Sequence, residues 1–80
     1  MNKEEIITIT KSFLSDEFEI NSNKIISENN FHQTLDLDSL DYVDLVVVIE
    51  ENFGFKPTSD DFKTIISFND FYDLVDKKLK

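Results

Sequence analysis

The sequence predicts an all-α protein: a small bundle of three main helices, with a short helix between the last two and a long loop after helix 1. Three observations predict it. Apolar residues recur at helical spacing in three separate stretches, each preceded by a residue suited to capping. The only Gly and the only Pro of the 80 residues fall close together, at Gly54 and Pro57, just after the second stretch. No strand pattern competes, because the β-prone triplet Val46-Val47-Val48 lies inside a strong helical pattern.

The first helix starts after Asn2, a capping residue with Glu5 three positions on as the second half of a capping box. Ile6, Ile9 and Phe13 form its stripe, joined by Ile7, Leu14 and Phe18 on the adjoining flank, and the helix fades near Phe18. From Glu19 to Asp38 the periodicity weakens. Asn21, Ser22, Asn23, Ser27, Asn29 and Asn30 favour turns and local side-chain bonds. This stretch reads as a long ordered loop pinned to the core by Ile20, Ile25, Ile26, Phe31 and Leu35. Such a loop in a compact domain is often functional.

The second main helix spans about Ser39 to Phe53. Gly54 sits where a left-handed C-terminal residue belongs, and Pro57 is a stop signal. Ser59 is placed to cap a short turn through Asp60, Asp61 and Phe62. Ser67 caps the last helix, with Asp70 favoured in its first turn and Lys77, Lys78 and Lys80 at its end by the helix dipole. Phe68, Phe71, Tyr72 and Val75 form its apolar stripe.

Length and charge narrow the function. A chain of 80 residues fits one domain of modest stability. It has no Cys, which removes disulfides, thiolate nucleophiles and Cys-based zinc sites and fits a reducing compartment. Seventeen acids face eight Lys, giving a net charge of −9. Nucleic acid is excluded as a partner, since its phosphates demand Lys and Arg, and an anionic membrane surface would repel the chain. The counterpart of such a charge is a basic protein surface, although acidity by itself also confers solubility. No segment approaches the ~20 apolar residues of a membrane span. Met1 to Glu5 lacks a basic region leading into an apolar run, so no signal peptide is expected and a cytoplasmic location is.

The informative stretch runs from Leu35 to Gly54. On a helical wheel, Tyr42, Leu45, Val46, Ile49 and Phe53 form one core-facing stripe. Leu40, Val43 and Val47 fall on the opposite side, among Asp44, Glu50 and Glu51. One helix of a small bundle needs one buried face. Aliphatics among carboxylates on the other face read as a docking patch with a charged rim, unless a neighbouring loop covers them. Ser39 opens this helix beside Asp38, and an N-cap is the ordinary explanation of either residue there. Nucleophilic catalysis needs a base beside the serine, and the only His is His32, in the loop.

Asp38-Ser39-Leu40, followed by Asp41, Val43-Asp44-Leu45, Glu50-Glu51 and Phe53-Gly54, resembles the acyl carrier proteins, with Ile25, Phe31 and Pro57 in matching order. The resemblance implies a single acyl-carrier domain over 1–80 with no catalysis of its own. It implies that Ser39 carries 4′-phosphopantetheine, donated by coenzyme A, as a phosphodiester, with Asp38 as its neighbour in cofactor binding. Acyl intermediates would ride on the arm as thioesters. By the same resemblance, Leu40, Asp41, Val43, Asp44, Val47, Glu50 and Glu51 meet partners. Those are a phosphopantetheinyl transferase and acyl-transferring or chain-elongating enzymes of fatty-acid or polyketide type, with basic docking surfaces. A monomer is expected. Leu45, Val46, Ile49, Phe31 and Ile65 are the expected lining for an acyl chain admitted between helices.

Two positions depart from the family pattern. Asp36 stands where Gly is usual, and Lys56 precedes Pro57 where Ile is frequent. Three alternatives stay open: a peptidyl or D-alanyl carrier, an acidic calcium-binding module, or a helical adaptor. An EF-hand loop starting at Asp36 would need an oxygen ligand, Gly and Glu where the chain has Leu40, Asp41 and Val47, and no metal ligand is assigned.

Overall fold

The computed structural model describes all residues, 1–80. Helix α1 spans Lys3–Phe18, α2 Phe31–Leu35, α3 Ser39–Phe53, α4 Ser59–Thr64 and α5 Phe68–Leu79. The three long helices, α1, α3 and α5, form the expected bundle, and α4 is the short helix between the last two.

Local capping chemistry sets the helix starts. Asn2 Oδ1 accepts from the Glu5 N–H at 2.9 Å, while Glu5 Oε1 accepts from the Asn2 N–H at 3.3 Å, completing the box. Ser67 and Asp70 pair in the same way at the start of α5. Asp70 Oδ2 also accepts from the Ile66 N–H at 3.0 Å. The Ser67 and Ile66 backbone donors hold its carboxyl below the usual carboxylate range. Gly54 ends α3 at φ 82. One start differs from expectation: α4 is capped by Thr58, not Ser59. Thr58 Oγ1 accepts from the Asp61 N–H at 3.2 Å and Asp61 answers by accepting from the Thr58 N–H at 3.0 Å, which leaves Ser59 as the first helical residue.

The stretch from Glu19 to Asp38 holds more structure than a loop. A 3-10 turn occupies Ser22–Lys24 and α2 occupies Phe31–Leu35. Two of the asparagines that weaken helix periodicity, Asn21 and Asn30, are the caps of these short pieces. Asn21 Oδ1 accepts from the Asn23 N–H, and Asn30 Oδ1 from the Gln33 N–H, both at 2.9 Å. Ile25, Phe31 and Leu35 are buried as expected, and Ile20 is partly so. Ile26 is not an anchor. It is 48 % exposed, because neighbours in non-helical backbone point to opposite sides and Ile25 takes the inner one. Backbone bonds tie the segment to the start of α5: Phe31 N–H donates to Ile66 O at 2.8 Å, Phe68 N–H to Asn29 O at 3.2 Å and Asn69 N–H to Ser27 O at 2.9 Å.

The core is one cluster. Phe13 of α1 meets Phe53 of α3 edge-on, with ring centroids at 6.0 Å. Phe31 stacks on Phe71 at 5.1 Å and meets Phe68 edge-on at 5.3 Å. On α1 the inner position falls to Thr10 rather than to Ile9, which is half-buried. Thr10 tolerates this because its hydroxyl donates to Ile6 O, one turn back, at 2.7 Å.

Two stability predictions follow from burial. Ile49 is fully buried whereas Val47 is 48 % exposed. Ile49→Ala is expected to cost about 2–5 kcal/mol through lost contacts and a cavity. Val47→Ala should stay within about 0.5 kcal/mol of wild type in urea unfolding. Reversal of that order would mean that α3 presents its other face to the core. Tyr72 is buried, yet its hydroxyl has no protein hydrogen-bond partner, and burial pushes the phenol pKa up to about 12. Removing an unsatisfied buried group relieves its desolvation cost. Tyr72→Phe should therefore unfold at the same or higher urea concentration, by up to about 1 kcal/mol. A clear loss of stability would show that the hydroxyl has a partner.

Candidate functional site

Three consecutive residues, Asp36, Leu37 and Asp38, present Ser39. Asp36 ends α2 in the left-handed region at φ 48, its N–H donating to His32 O at 2.9 Å. Glycine meets that geometry without cost, and Asp is among the side chains that tolerate it best. Leu37 packs against the core. Asp38 then extends, and its Oδ1 accepts from the Asp41 N–H at 2.9 Å. Asp38 is thus the N-cap of α3, and Ser39 is the first helical residue, exposed. Ser39 has no capping duty, so its hydroxyl is not committed to the helix. The positive end of a 15-residue helix surrounds it, an environment that favours a phosphate ester.

The two faces of α3 separate as the wheel indicates. Leu45, Ile49 and Phe53 are buried, with Tyr42 and Val46 half-buried beside them. Leu40 is 76 % exposed and Val43 62 %. Asp44, Glu50 and Glu51 are exposed around them, whereas Asp41 is half-buried on the flank. The four ion pairs of the chain use Asp60, Asp61, Asp73 and Asp76. The carboxylates of α3 therefore face solvent without a lysine.

Ser39 opens onto a surface groove of about 580 Å³ between α3 and the segment from Lys56 through α4. Val43, Val46, Val47, Pro57 and Phe62 supply its apolar walls. A second cleft of about 450 Å³ shares Ser39, Tyr42, Ser59 and Phe62 with the groove and adds His32 and Lys63. Between them stands a hydrogen-bonded set. His32 Nε2 lies 3.1 Å from Phe62 O, which can only accept, so this nitrogen carries the proton in the neutral ring. Nδ1 then accepts from the Tyr42 hydroxyl at 2.6 Å. Burial pushes the Tyr42 phenol pKa up. His32 is thus a structural residue of α2 rather than a residue of an open loop. Nothing local in sequence announces it, because its partners lie 10 and 30 positions away.

Of the residues expected to line an acyl chain admitted between helices, Phe31, Leu45, Ile49 and Ile65 are buried in the core and Val46 lines the groove. Of Asp36, Asp38 and Asp41, Asp38 uses its carboxylate to cap α3. No group of three or more His, Cys, Asp or Glu side chains is placed to hold a metal ion.

Residues 8–75 match a family model described as the phosphopantetheine attachment site. The chain is also 33% identical over 78 residues to an acyl carrier protein of Thermotoga maritima, covering 98% of this chain and 96% of that one. The chain belongs to the acyl carrier protein family. An acyl carrier protein of Lactobacillus johnsonii is 39% identical over 61 residues, 76% of each chain. One of Thermosynechococcus vestitus is 29% identical over 79 residues, 99% of this chain and 98% of that one.

The protein is accordingly a non-catalytic carrier that takes a 4′-phosphopantetheine arm and works with transferases and biosynthetic enzymes. The residues present fit such a group: an exposed serine at a helix N-terminus, without capping duty, beside an apolar groove. No helix is long and apolar enough to cross a membrane.

Proposed function

We propose that residues 1–80 form one carrier domain, that Ser39 bears the arm, and that the chain delivers acyl groups to fatty-acid or polyketide-type biosynthetic enzymes. The observation that carries this reading is the placement of Ser39, exposed at the first position of α3 where the unpaired acidic face begins. When bound, the arm supplies a terminal thiol that holds an acyl group as a thioester. Ser39 Oγ is the acceptor in loading. It forms the new bond to the coenzyme A phosphorus that carries pantetheine, adenosine 3′,5′-bisphosphate leaves, and the hydroxyl proton passes to the transferase. Asp38 supports the step by keeping the cap, which holds Ser39 in the first turn and its hydroxyl outward.

Leu40, Val43 and Val47 form the apolar centre of the docking face, and Asp44, Glu50 and Glu51 its charged rim, with Asp41 at the edge. Long-range attraction to a basic surface raises the rate of encounter. Each exposed ion pair adds only ~0–1 kcal/mol, so the complex also separates quickly, as a shuttle requires. A monomer in the cytoplasm goes with this reading. The test is incubation with coenzyme A and a broad-specificity phosphopantetheinyl transferase, followed by intact-mass analysis. One added arm is expected. A chain that stays unmodified overturns the proposal, and an aminoacyl or peptidyl thioester found in the native host would replace the acyl cargo with that of a peptidyl or D-alanyl carrier.

A further inference from the structure

We propose that His32 is a positioning residue for the loading of Ser39: it fastens α4 beside that serine and so completes the surface the transferase must grip. This inference rests on the reading of Ser39 as the attachment point. Ser39 shares a cleft of about 450 Å³ with Ser59, Phe62 and Lys63 of α4. An enzyme that brings coenzyme A to the Ser39 hydroxyl therefore meets α4 as well as α3. With six residues, α4 is too short to be stable on its own and depends on what holds it. The Thr58–Asp61 box and the Lys63–Asp60 pair are internal to it. No backbone hydrogen bond joins Ser59–Thr64 to another element. Two polar ties reach α4 from outside. One is the Lys78–Asp61 ion pair, a long contact of 3.7 Å that salt weakens. The other is the hydrogen bond from His32 Nε2 to Phe62 O at 3.1 Å.

The surroundings of His32 suit a latch. Phe62 O lies in the last turn of α4, where carbonyls lack full partners within the helix, and a histidine side chain is a fitting donor there. Nε2 must carry the proton for this bond, and the Tyr42 hydroxyl secures that tautomer by donating to Nδ1 at 2.6 Å. The imidazole is itself held from below, meeting the buried Phe31 edge-on at 5.2 Å. Tyr42 follows Ser39 by three residues on α3 and meets Phe62 edge-on at 5.6 Å. One side chain of α2 thus ties α3 and α4 together and sets the spacing of the two walls that flank Ser39. With the Phe62 bond cut, α4 keeps the buried Ile65 as its apolar anchor but samples other positions. Only the fraction of molecules with α4 in place then suits the transferase, and apparent affinity falls by that fraction. The chemical step is spared, because the hydrogen bonds of His32 go to Tyr42 and Phe62 and not to Ser39.

The test compares two substitutions that each keep half of the latch. His32→Gln retains an N–H that reaches Phe62 O but offers Tyr42 no acceptor in the place of Nδ1. His32→Asn retains that acceptor and is too short for Phe62 O. Where His32→Asn unfolds the chain, His32→Leu takes its place, keeping apolar bulk and losing both bonds. Three quantities are read: the steady-state rate of loading from coenzyme A with the carrier concentration varied, amide hydrogen exchange in α4, and the His32 tautomer in the wild type by nitrogen NMR at mildly alkaline pH. The wild-type ring should carry its proton on Nε2. His32→Asn should raise KM for the carrier severalfold at unchanged kcat and speed exchange at Phe62 to Ile65, and His32→Gln should bring both back toward wild type. A wild-type proton on Nδ1, or a folded His32→Asn chain with the wild-type KM, would overturn the inference while leaving the carrier reading intact. Equal losses in the Gln and Asn variants, or a fall in kcat at constant KM, would equally overturn the assigned role. A wild type that accepts no arm overturns the carrier reading, and this inference with it.

Discussion

Ser39→Ala should take up no phosphopantetheine under conditions that modify the wild type completely, and it should do so as a fully folded protein. The loss is total because the new phosphoester needs an oxygen at that position, and alanine has none. The fold survives because the cap of α3 belongs to Asp38, whose Oδ1 accepts from the Asp41 N–H at 2.9 Å. Ser39 is an exposed first-turn residue, and substitutions of that kind stay within about 0.5 kcal/mol. Asp38→Ala is the complementary control. It removes the cap, costs about 0.5–2 kcal/mol, and leaves the hydroxyl in place on a less ordered first turn, so loading is slowed and not abolished. Intact mass and circular dichroism read both. A Ser39→Ala chain that still gains an arm would place the attachment elsewhere. One that unfolds would show that Ser39 has a structural role its exposed position does not indicate.

Asp44→Lys combined with Glu51→Lys is expected to slow loading by the transferase by on the order of tenfold or more at low ionic strength, mainly through the rate of association. Both residues are exposed and neither is ion-paired within the chain, so their charges are free to act on a partner. Screening over about 10 Å at 0.1 M salt should shrink the difference from wild type as salt is added. Thermal stability should hold or rise, because the change lowers the −9 net charge that repels itself across a small surface. Val47→Ala belongs to the same face and should weaken docking by loss of apolar contact, with little change in salt dependence. If the double variant is loaded as fast as wild type at every salt concentration, the acidic face is a solvated surface and docking lies elsewhere.

What the sequence determined by itself is whatever depends on residues within about one helical turn of each other. The capping boxes at Asn2–Glu5 and Ser67–Asp70, the left-handed stop at Gly54, and the two faces of α3 all belong to this class. The motif around Ser39 belongs to it as well, since turn, anchor, cap and serine are consecutive. Which of two adjacent capping residues serves, Thr58 rather than Ser59 and Asp38 rather than Ser39, is a finer choice that depends on where the incoming chain bends. The tertiary structure alone decided the rest. It ordered α2 out of an asparagine-rich stretch by tying Asn29 and Phe31 to the start of α5. It buried Thr10 in place of Ile9 and fastened His32 between Tyr42 and Phe62. It also brought Pro57 and Phe62 against Val46 to form the groove beside Ser39. The physical reason is common to all of these. Propensity and capping act between neighbours along the chain, whereas a hydrogen bond such as that from His32 to Phe62, 30 residues apart, exists only after hydrophobic packing has brought two helices together.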